Sequence, residues 1–401
     1  MSVKNLIPRE HYMSKIRQSR GTPFIKILTG IRRCGKSSLM EMFIDELRES
    51  GVPDDRIFYS NLDDEGCGIE TFRDLIDSVS SKISDTKGAY LFFDEIQNVP
   101  EWERAVSTFY IRDADVYVTG SNSNMLSTEL STKLSGRCLE IFIQPLVFSE
   151  YLNFRISDDT DKLLEDYIRY GGFPAVSLMM DAMPGQVKDI LDGIYNTVFN
   201  KDVMSRHEIR GNAMISNLSI YLMKNIGGRT SVRGVSNYLI SKGIRTQPQT
   251  VDQYIGFLEE ALLFSKAKRL DLKTKEYLRT TDKFYVSDMG IRHSQITFHP
   301  KDLDGIVENI VYNELLYRFG DVSVCSVDLY EVDFIADPMG TPSYYQVSLN
   351  VTDPATLERE LRPLRKIADN YPKTIITYDR FPMNDIDGIR IVSLKDWLLN
   401  K

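Results

Sequence analysis

Eight consecutive residues, Gly30-Ile31-Arg32-Arg33-Cys34-Gly35-Lys36-Ser37, set two glycines, a lysine and a hydroxyl at the spacing G-x-x-x-x-G-K-[ST]. Each defined position has a chemical reason. Glycines at 30 and 35 permit backbone conformations that aim successive N–H groups inward at an anion. Lys36 adds a cation beside β and γ phosphates, and the Ser37 hydroxyl is a ligand for Mg²⁺. The spacing predicts a triphosphate cradle over residues 30–38, ending at Ser38. Such a cradle needs a carboxylate on the metal side, and "AYLFFDEIQNV" supplies two adjacent acids at the end of an apolar run. Asp94 is expected to hold the Mg²⁺ shell. Glu95, on the opposite side of the strand's end, is expected to polarise the attacking water.

The next apolar run, "DVYVTGSNS", ends in Thr119, Ser121 and Asn122. Ser121 or Asn122 is a candidate to orient that water beside Glu95, an ordinary polar turn being the alternative. Arg137, in "KLSGR", is a candidate to neutralise transition-state charge, in its own chain or from a neighbouring subunit. Its alternative is an exposed surface arginine.

These side chains must be positioned by strands. Apolar runs near 24–29, 56–61, 90–94, 115–120 and 138–144 alternate with segments of helical spacing, such as "KSSLMEMFIDELRES". Alternation of this kind predicts an α/β fold with a parallel sheet, whose ligands bind at the carboxyl ends of the strands. These motifs are expected to fall at such ends.

In this order, "ILTGIRRCGKSSLM", "YLFFDEIQNVPEWERAV", "YVTGSNSNML" and "LSGR" resemble a prokaryotic AAA+-like P-loop ATPase family. In that family the ATPase module precedes a C-terminal domain of unknown function. The likeness continues in "EYLNF", "YIRYGGFPAV", "YVSDMGIR", "ENIVYNELLYR" and "EVDFIA", so it covers nearly the whole chain. The resemblance implies binding of ATP/ADP with Mg²⁺, and hydrolysis by Lys36, Ser37, Asp94 and Glu95. It implies no settled biological role.

Four segments are expected: an AAA+-like core over 1–145, a helical lid or connector over 146–206, a winged helix over 207–295, and an α/β domain over 296–401. For the winged helix, "AMISNLSIYLMKNIG" and two helices starting near Ser231 and Thr250 precede a β-hairpin. Residues 265–283 of that hairpin hold seven basic and three acidic side chains, a candidate surface for DNA phosphates. The last segment resembles the restriction-endonuclease-like nuclease fold, with Glu308 on a helix and Asp333 on a strand. Where that fold requires E-x-K, this chain has Gln346-Val347-Ser348, and no lysine lies between Lys301 and Lys366. A nuclease-like fold without nuclease activity is expected, with Glu308 and Asp333 as either one weak metal site or simply solvated or salt-bridged acids.

The formal charge of −8 argues against a general nucleic-acid coat. Four scattered cysteines, Cys34, Cys67, Cys138 and Cys325, have neither metal nor disulfide spacing. The N-terminal twenty residues are charged where a secretory leader is apolar, and no apolar run approaches the ~20 residues of a membrane span. A cytoplasmic protein that acts on an unknown protein partner is expected, with an oligomer as one option.

Overall fold

The computed structural model describes residues 6–123, 134 and 136–400, without the side chains of residues 279 and 280. Residues 124–126 of "YVTGSNSNML" and Ser135 of "LSGR" lie outside the described residues. The chain divides into two compact units, 1–144 with 260–262, and 145–259 with 263–401.

In the first unit the described strands are β1 (Ile25–Thr29), β2 (Ile57–Asn61), β3 (Tyr90–Asp94), β4 (Asp115–Gly120) and β5 (Cys138–Phe142). They form a parallel sheet in the order β2-β3-β4-β1-β5. Each lies within two residues of its expected position. Helix α1 (Glu10–Ser19) precedes β1, and α2 (Lys36–Glu49), α3 (Phe72–Lys82) and α4 (Trp102–Ile111) connect successive strands. Every residue of β1 and β4 is buried, because helices cover both faces. On one face Ile25, Ile27, Leu91, Phe93, Val116 and Val118 pack with Leu75 and Val79 of α3 and Phe109 of α4. On the other, Phe92 stacks on Tyr117 at 4.8 Å, and Phe43 of α2 tilts against Tyr117 at 5.3 Å. Helix α3 starts where the sequence provides a reciprocal cap: Asp74 N–H donates to Thr71 Oγ1, and Thr71 N–H to Asp74 Oδ2.

In the second unit, residues 148–205 are largely helical, as their periodicity predicts. The helix Val232–Ser241 begins at its expected cap, Ser231 Oγ accepting from Gly234 N–H at 3.1 Å. The next helix starts at Pro248 rather than near Thr250, because proline's fixed φ suits a first turn and its missing N–H costs nothing there.

The described strands of this unit are β6 (Arg229–Thr230), β7 (Phe264–Asp271), β8 (Tyr277–Val286), β9 (Ser323–Val327), β10 (Tyr330–Ala336), β11 (Ser343–Ser348), β12 (Lys373–Thr377), β13 (Asp385–Ile386) and β14 (Ile389–Ser393). They form one mixed sheet, β13-β14-β12-β11-β10-β9-β7-β8-β6. The expected hairpin is β7–β8, and its β7 runs parallel to β9, with Lys268 opposite Ser323. Hairpin and C-terminal strands therefore share a sheet. One face packs on the helix Pro354–Arg365 through Leu361 and Leu364. The helix Leu303–Phe319 packs on the opposite face: Tyr312 stacks on Tyr285 at 4.2 Å and lies against Phe334, and Asn309 exchanges two 2.8 Å hydrogen bonds with the Val286 backbone.

Three glycines of the quoted motifs leave room for close contacts, two of them between backbones. A Cβ on Gly172 would lie 2.1 Å from Leu146 O, and one on Gly290 2.1 Å from Tyr170 O. A Cβ on Gly171 would meet Asp288 Oδ1 at 2.2 Å. Asp288 caps the helix Met289–Gln295 and accepts from Gly172 N–H at 2.6 Å. "YGGFP" and "SDMG" are thus two halves of one packing joint.

Candidate active site

The loop between β1 and α2 follows the carboxyl end of a central strand. A Cβ on Gly30 would lie 2.1 Å from Ile143 O and 2.8 Å from Cys34 Sγ, so only glycine fits. Arg33 and Gly35 are left-handed, with φ of 69° and 106°, which turns successive N–H groups into one concavity. Ile31 and Cys34 are buried beneath the loop. The Cys34 thiol donates to Ile143 O at 3.3 Å, and burial pushes its pKa up. Arg9 Nη1 donates to Cys34 O at 2.9 Å, fixing the loop from α1's start. Gly35 has no side chain to cap α2, so the first-turn N–H groups at Lys36, Ser37 and Ser38 suit an anion. The Lys36 ammonium is buried and donates to Gly30 O at 2.9 Å and Ile31 O at 3.3 Å.

Asp94 ends β3, and Thr119 lies near the end of the adjacent β4; both are buried. The Thr119 hydroxyl donates to Asp94 Oδ1 and accepts from Glu95 N–H at 2.8 Å. One hydroxyl thus ties both acids. Glu95 takes a left-handed backbone, φ 56° and ψ 48°, at the sharp turn out of the strand. Its Oε1 lies 3.8 Å from Lys36 Nζ, and its Oε2 3.6 Å from Arg32 Nη2. Arg32 Nη1 also lies 3.6 Å from Asp63 Oδ2.

Gln97 is the residue that sequence reasoning missed. Its Nε2 donates to Glu95 Oε2 and, at 3.3 Å, to Ser121 Oγ. The available signal was its position two residues after Glu95, on the one-turn helix Ile96–Asn98. The structure therefore brings Lys36, Glu95 and Arg32 together, with Gln97 linking Glu95 to Ser121. Asn122 follows Ser121 in the chain and is half-buried. Hard oxygen donors, the Ser37 hydroxyl and the Asp94 carboxylate, suit Mg²⁺, which takes one or two carboxylates and completes its shell with phosphate and water.

Arg137 is not part of this group. It is exposed, precedes the first residue of β5, and stacks over the Tyr110 ring at 5.2 Å. Its carbonyl accepts from Ile25 N–H, at the amino end of β1. The phosphate loop leaves the other end of β1, roughly 15 Å away at about 3.3 Å per residue. The expectation of a charge-neutralising role within its own chain is corrected accordingly.

For the second set of acids the structure shows the salt-bridged alternative. Glu308 and Asp333 do come together, but around Lys283 of β8, whose ammonium lies 2.9 Å from Glu308 Oε1, 3.1 Å from Glu331 Oε1 and 3.4 Å from Asp333 Oδ1. The lysine comes from outside the interval between Lys301 and Lys366, delivered from upstream by the hairpin. Burial pushes Asp333 up to about 7 and raises Glu308, while the ammonium opposes both shifts. Burial disfavours the Lys283 charge, yet the three carboxylates outweigh it and raise its pKa. Gln346 Oε1 accepts from Asp333 N–H at 3.3 Å, and its Nε2 donates to Glu360 at 2.9 Å. Among the described residues no cluster of three or more His, Cys, Asp or Glu forms a metal site. A tethered ammonium satisfies these carboxylates.

The same pairing consumes much of the basic hairpin. Lys283 and Arg269 are buried, Arg269 lying 3.6 Å from Glu331, and Lys266 pairs with Asp282 at 2.7 Å. Lys268, Lys273 and Lys275 remain exposed, whereas the Arg279 side chain lies outside the description. The hairpin is less basic towards solvent than its composition implies.

A family model described as an AAA domain matches residues 22–152, and one described as a domain of unknown function matches residues 161–302. An uncharacterised protein of Haemophilus influenzae is 34% identical over 403 residues, covering 99% of both chains. An uncharacterised protein of Methanocaldococcus jannaschii is 29% identical over 378 residues, covering 88% of this chain and 82% of its own. A Walker-type ATPase of Pyrococcus abyssi shares the fold, with a TM-score of 0.52 at 15% identity over 72% of this chain and 95% of that one. No helix among the described residues is long and apolar enough to cross a membrane. With its AAA-type phosphate loop, parallel sheet and appended mixed-sheet unit, the chain belongs to the AAA+-like P-loop ATPases that carry a C-terminal domain of unknown function.

Proposed function

We propose that this chain binds ATP with Mg²⁺ in the Gly30–Ser38 loop and hydrolyses it, using the cycle to change its own conformation or that of a macromolecular partner. One observation carries the reading: Lys36, Glu95 and Ser121 converge at the carboxyl ends of β1, β3 and β4, joined through Gln97. In hydrolysis the water oxygen bonds to the γ phosphorus and the bond to the bridging oxygen breaks. That electron pair leaves with ADP, and Glu95 takes the water's proton. Loop N–H groups and Lys36 hold the phosphates, while Gln97 and Ser121 orient the carboxylate and the water. Ser37 and Asp94 would hold the Mg²⁺, which neutralises charge between the β and γ phosphates.

A slow nucleotide-dependent switch is a second reading, favoured by the cations of Lys36 and Arg32 standing beside the proposed base. The ATP-gated nuclease is disfavoured because Gln346 stands where that fold requires a carboxylate, although Lys283 supplies a lysine beside Glu308 and Asp333. The test is phosphate release by the full chain with Mg²⁺ or with chelator, with and without duplex DNA. Turnover that requires Mg²⁺ supports hydrolysis, and binding with negligible turnover selects the switch. Stimulation by DNA would identify one partner class.

A further inference from the structure

Glu95 has one firm partner and two loose ones. Gln97 hydrogen-bonds it, whereas the Lys36 and Arg32 nitrogens stand 3.8 and 3.6 Å away. A charge-assisted N–H···O bond is about 2.7–2.9 Å, so neither cation makes one with Glu95. Lys36 spends its donors on the carbonyls of its own loop. Among its contacts, the Arg32 guanidinium stands 3.6 Å from both Glu95 and Asp63. Its side chain is largely buried at 11% exposure, on the loop that cradles the phosphates, so it can turn without leaving the site.

A guanidinium binds a phosphate through two parallel N–H bonds, a stronger arrangement than a split pair with two carboxylates. A nucleoside triphosphate brings a γ phosphate beside the loop, a group that a diphosphate lacks. Resting on the ATPase reading, we propose that Arg32 senses the γ phosphate. Without it, the guanidinium neutralises Glu95 and Asp63. With it, Arg32 turns to the γ oxygens and frees Glu95 to accept the water's proton, while Gln97 keeps the carboxylate aimed. The ligand thereby removes the brake on its own hydrolysis, through the difference in what ATP and ADP offer Arg32.

The experiment measures ATP and ADP affinity with Mg²⁺, and kcat, for the full chain, Arg32→Met and Asp63→Asn. Arg32→Met is expected to lower kcat on the order of 10²-fold, to weaken ATP by about ten-fold, and to leave ADP within about two-fold. A normal rise of its melting temperature with ADP shows that it is folded. Asp63→Asn removes a competitor for Arg32 at a partly exposed position, and is expected to tighten ATP several-fold with ADP unchanged. Equal weakening of ATP and ADP in Arg32→Met, an unchanged kcat there, or an unchanged ATP-to-ADP ratio in Asp63→Asn would overturn the proposal. Wild-type turnover abolished by Lys36→Ala alongside normal Arg32→Met kinetics rejects the sensor alone. Absent wild-type turnover rejects the ATPase reading itself.

Discussion

The Thr119 hydroxyl donates to the Asp94 carboxylate while accepting from the N–H of Glu95, so a residue of β4 positions both acids at the end of β3. The proposed metal ligand and the proposed base are thus set by one hydrogen-bonding group from the neighbouring strand.

Thr119→Val keeps the shape and removes that group. It leaves the buried Glu95 N–H without its acceptor, which costs about 1–3 kcal/mol. Urea unfolding is expected to show that loss, and hydrolysis is expected to fall more steeply than stability. Full activity in a destabilised variant would mean that the hydroxyl serves only the fold.

Lys283→Met leaves Glu308, Glu331 and Asp333 buried without their ammonium. Breaking such a cluster costs about 3–5 kcal/mol at neutral pH. The sign of its pH dependence follows from Asp333, pushed to about 7 from an ordinary 3.8. Between those values the folded state binds more protons than the unfolded state, so this carboxyl's contribution falls as pH rises. Losing the ammonium removes the force opposing that shift. Unfolding at pH 5 and pH 8 is therefore expected to show the larger mutational loss at pH 8; equal losses would contradict the cluster's role.

Gly290→Ala tests the joint between "YGGFP" and "SDMG". The added methyl would sit 2.1 Å from Tyr170 O and 2.8 Å from Leu191 Cδ2, so the backbones must separate. Overpacking of this kind costs about 1–3 kcal/mol or more. The melting temperature is expected to fall, whereas alanine at Gly185, with nothing within 4 Å, is expected to leave it nearly unchanged.

The first unit was legible because its signals are local. Each strand is an apolar run, the loop's chemistry occupies eight consecutive residues, and Asp94 and Glu95 are adjacent. What the sequence concealed depends on distant partners. Gln97 looks like any turn residue until Ser121 lies beside it. Lys283 could not be matched to acids 25 and 50 residues downstream without knowing that the hairpin enters the C-terminal sheet. Arg137 was placed by its motif, yet parallel pairing puts it at the amino end of β5, away from the phosphate loop. The charge count over 265–283 could not tell that Arg269 and Lys283 point inward.

The central claim is that Lys36 and Glu95 serve one hydrolytic site. Its most direct test is the steady-state rate of ATP hydrolysis by the full chain beside Lys36→Ala and Glu95→Gln, with nucleotide binding measured for each. The account predicts wild-type turnover that falls at least about 10²-fold in both, with Glu95→Gln still binding ATP. A Glu95→Gln variant that hydrolyses ATP at the wild-type rate would contradict it.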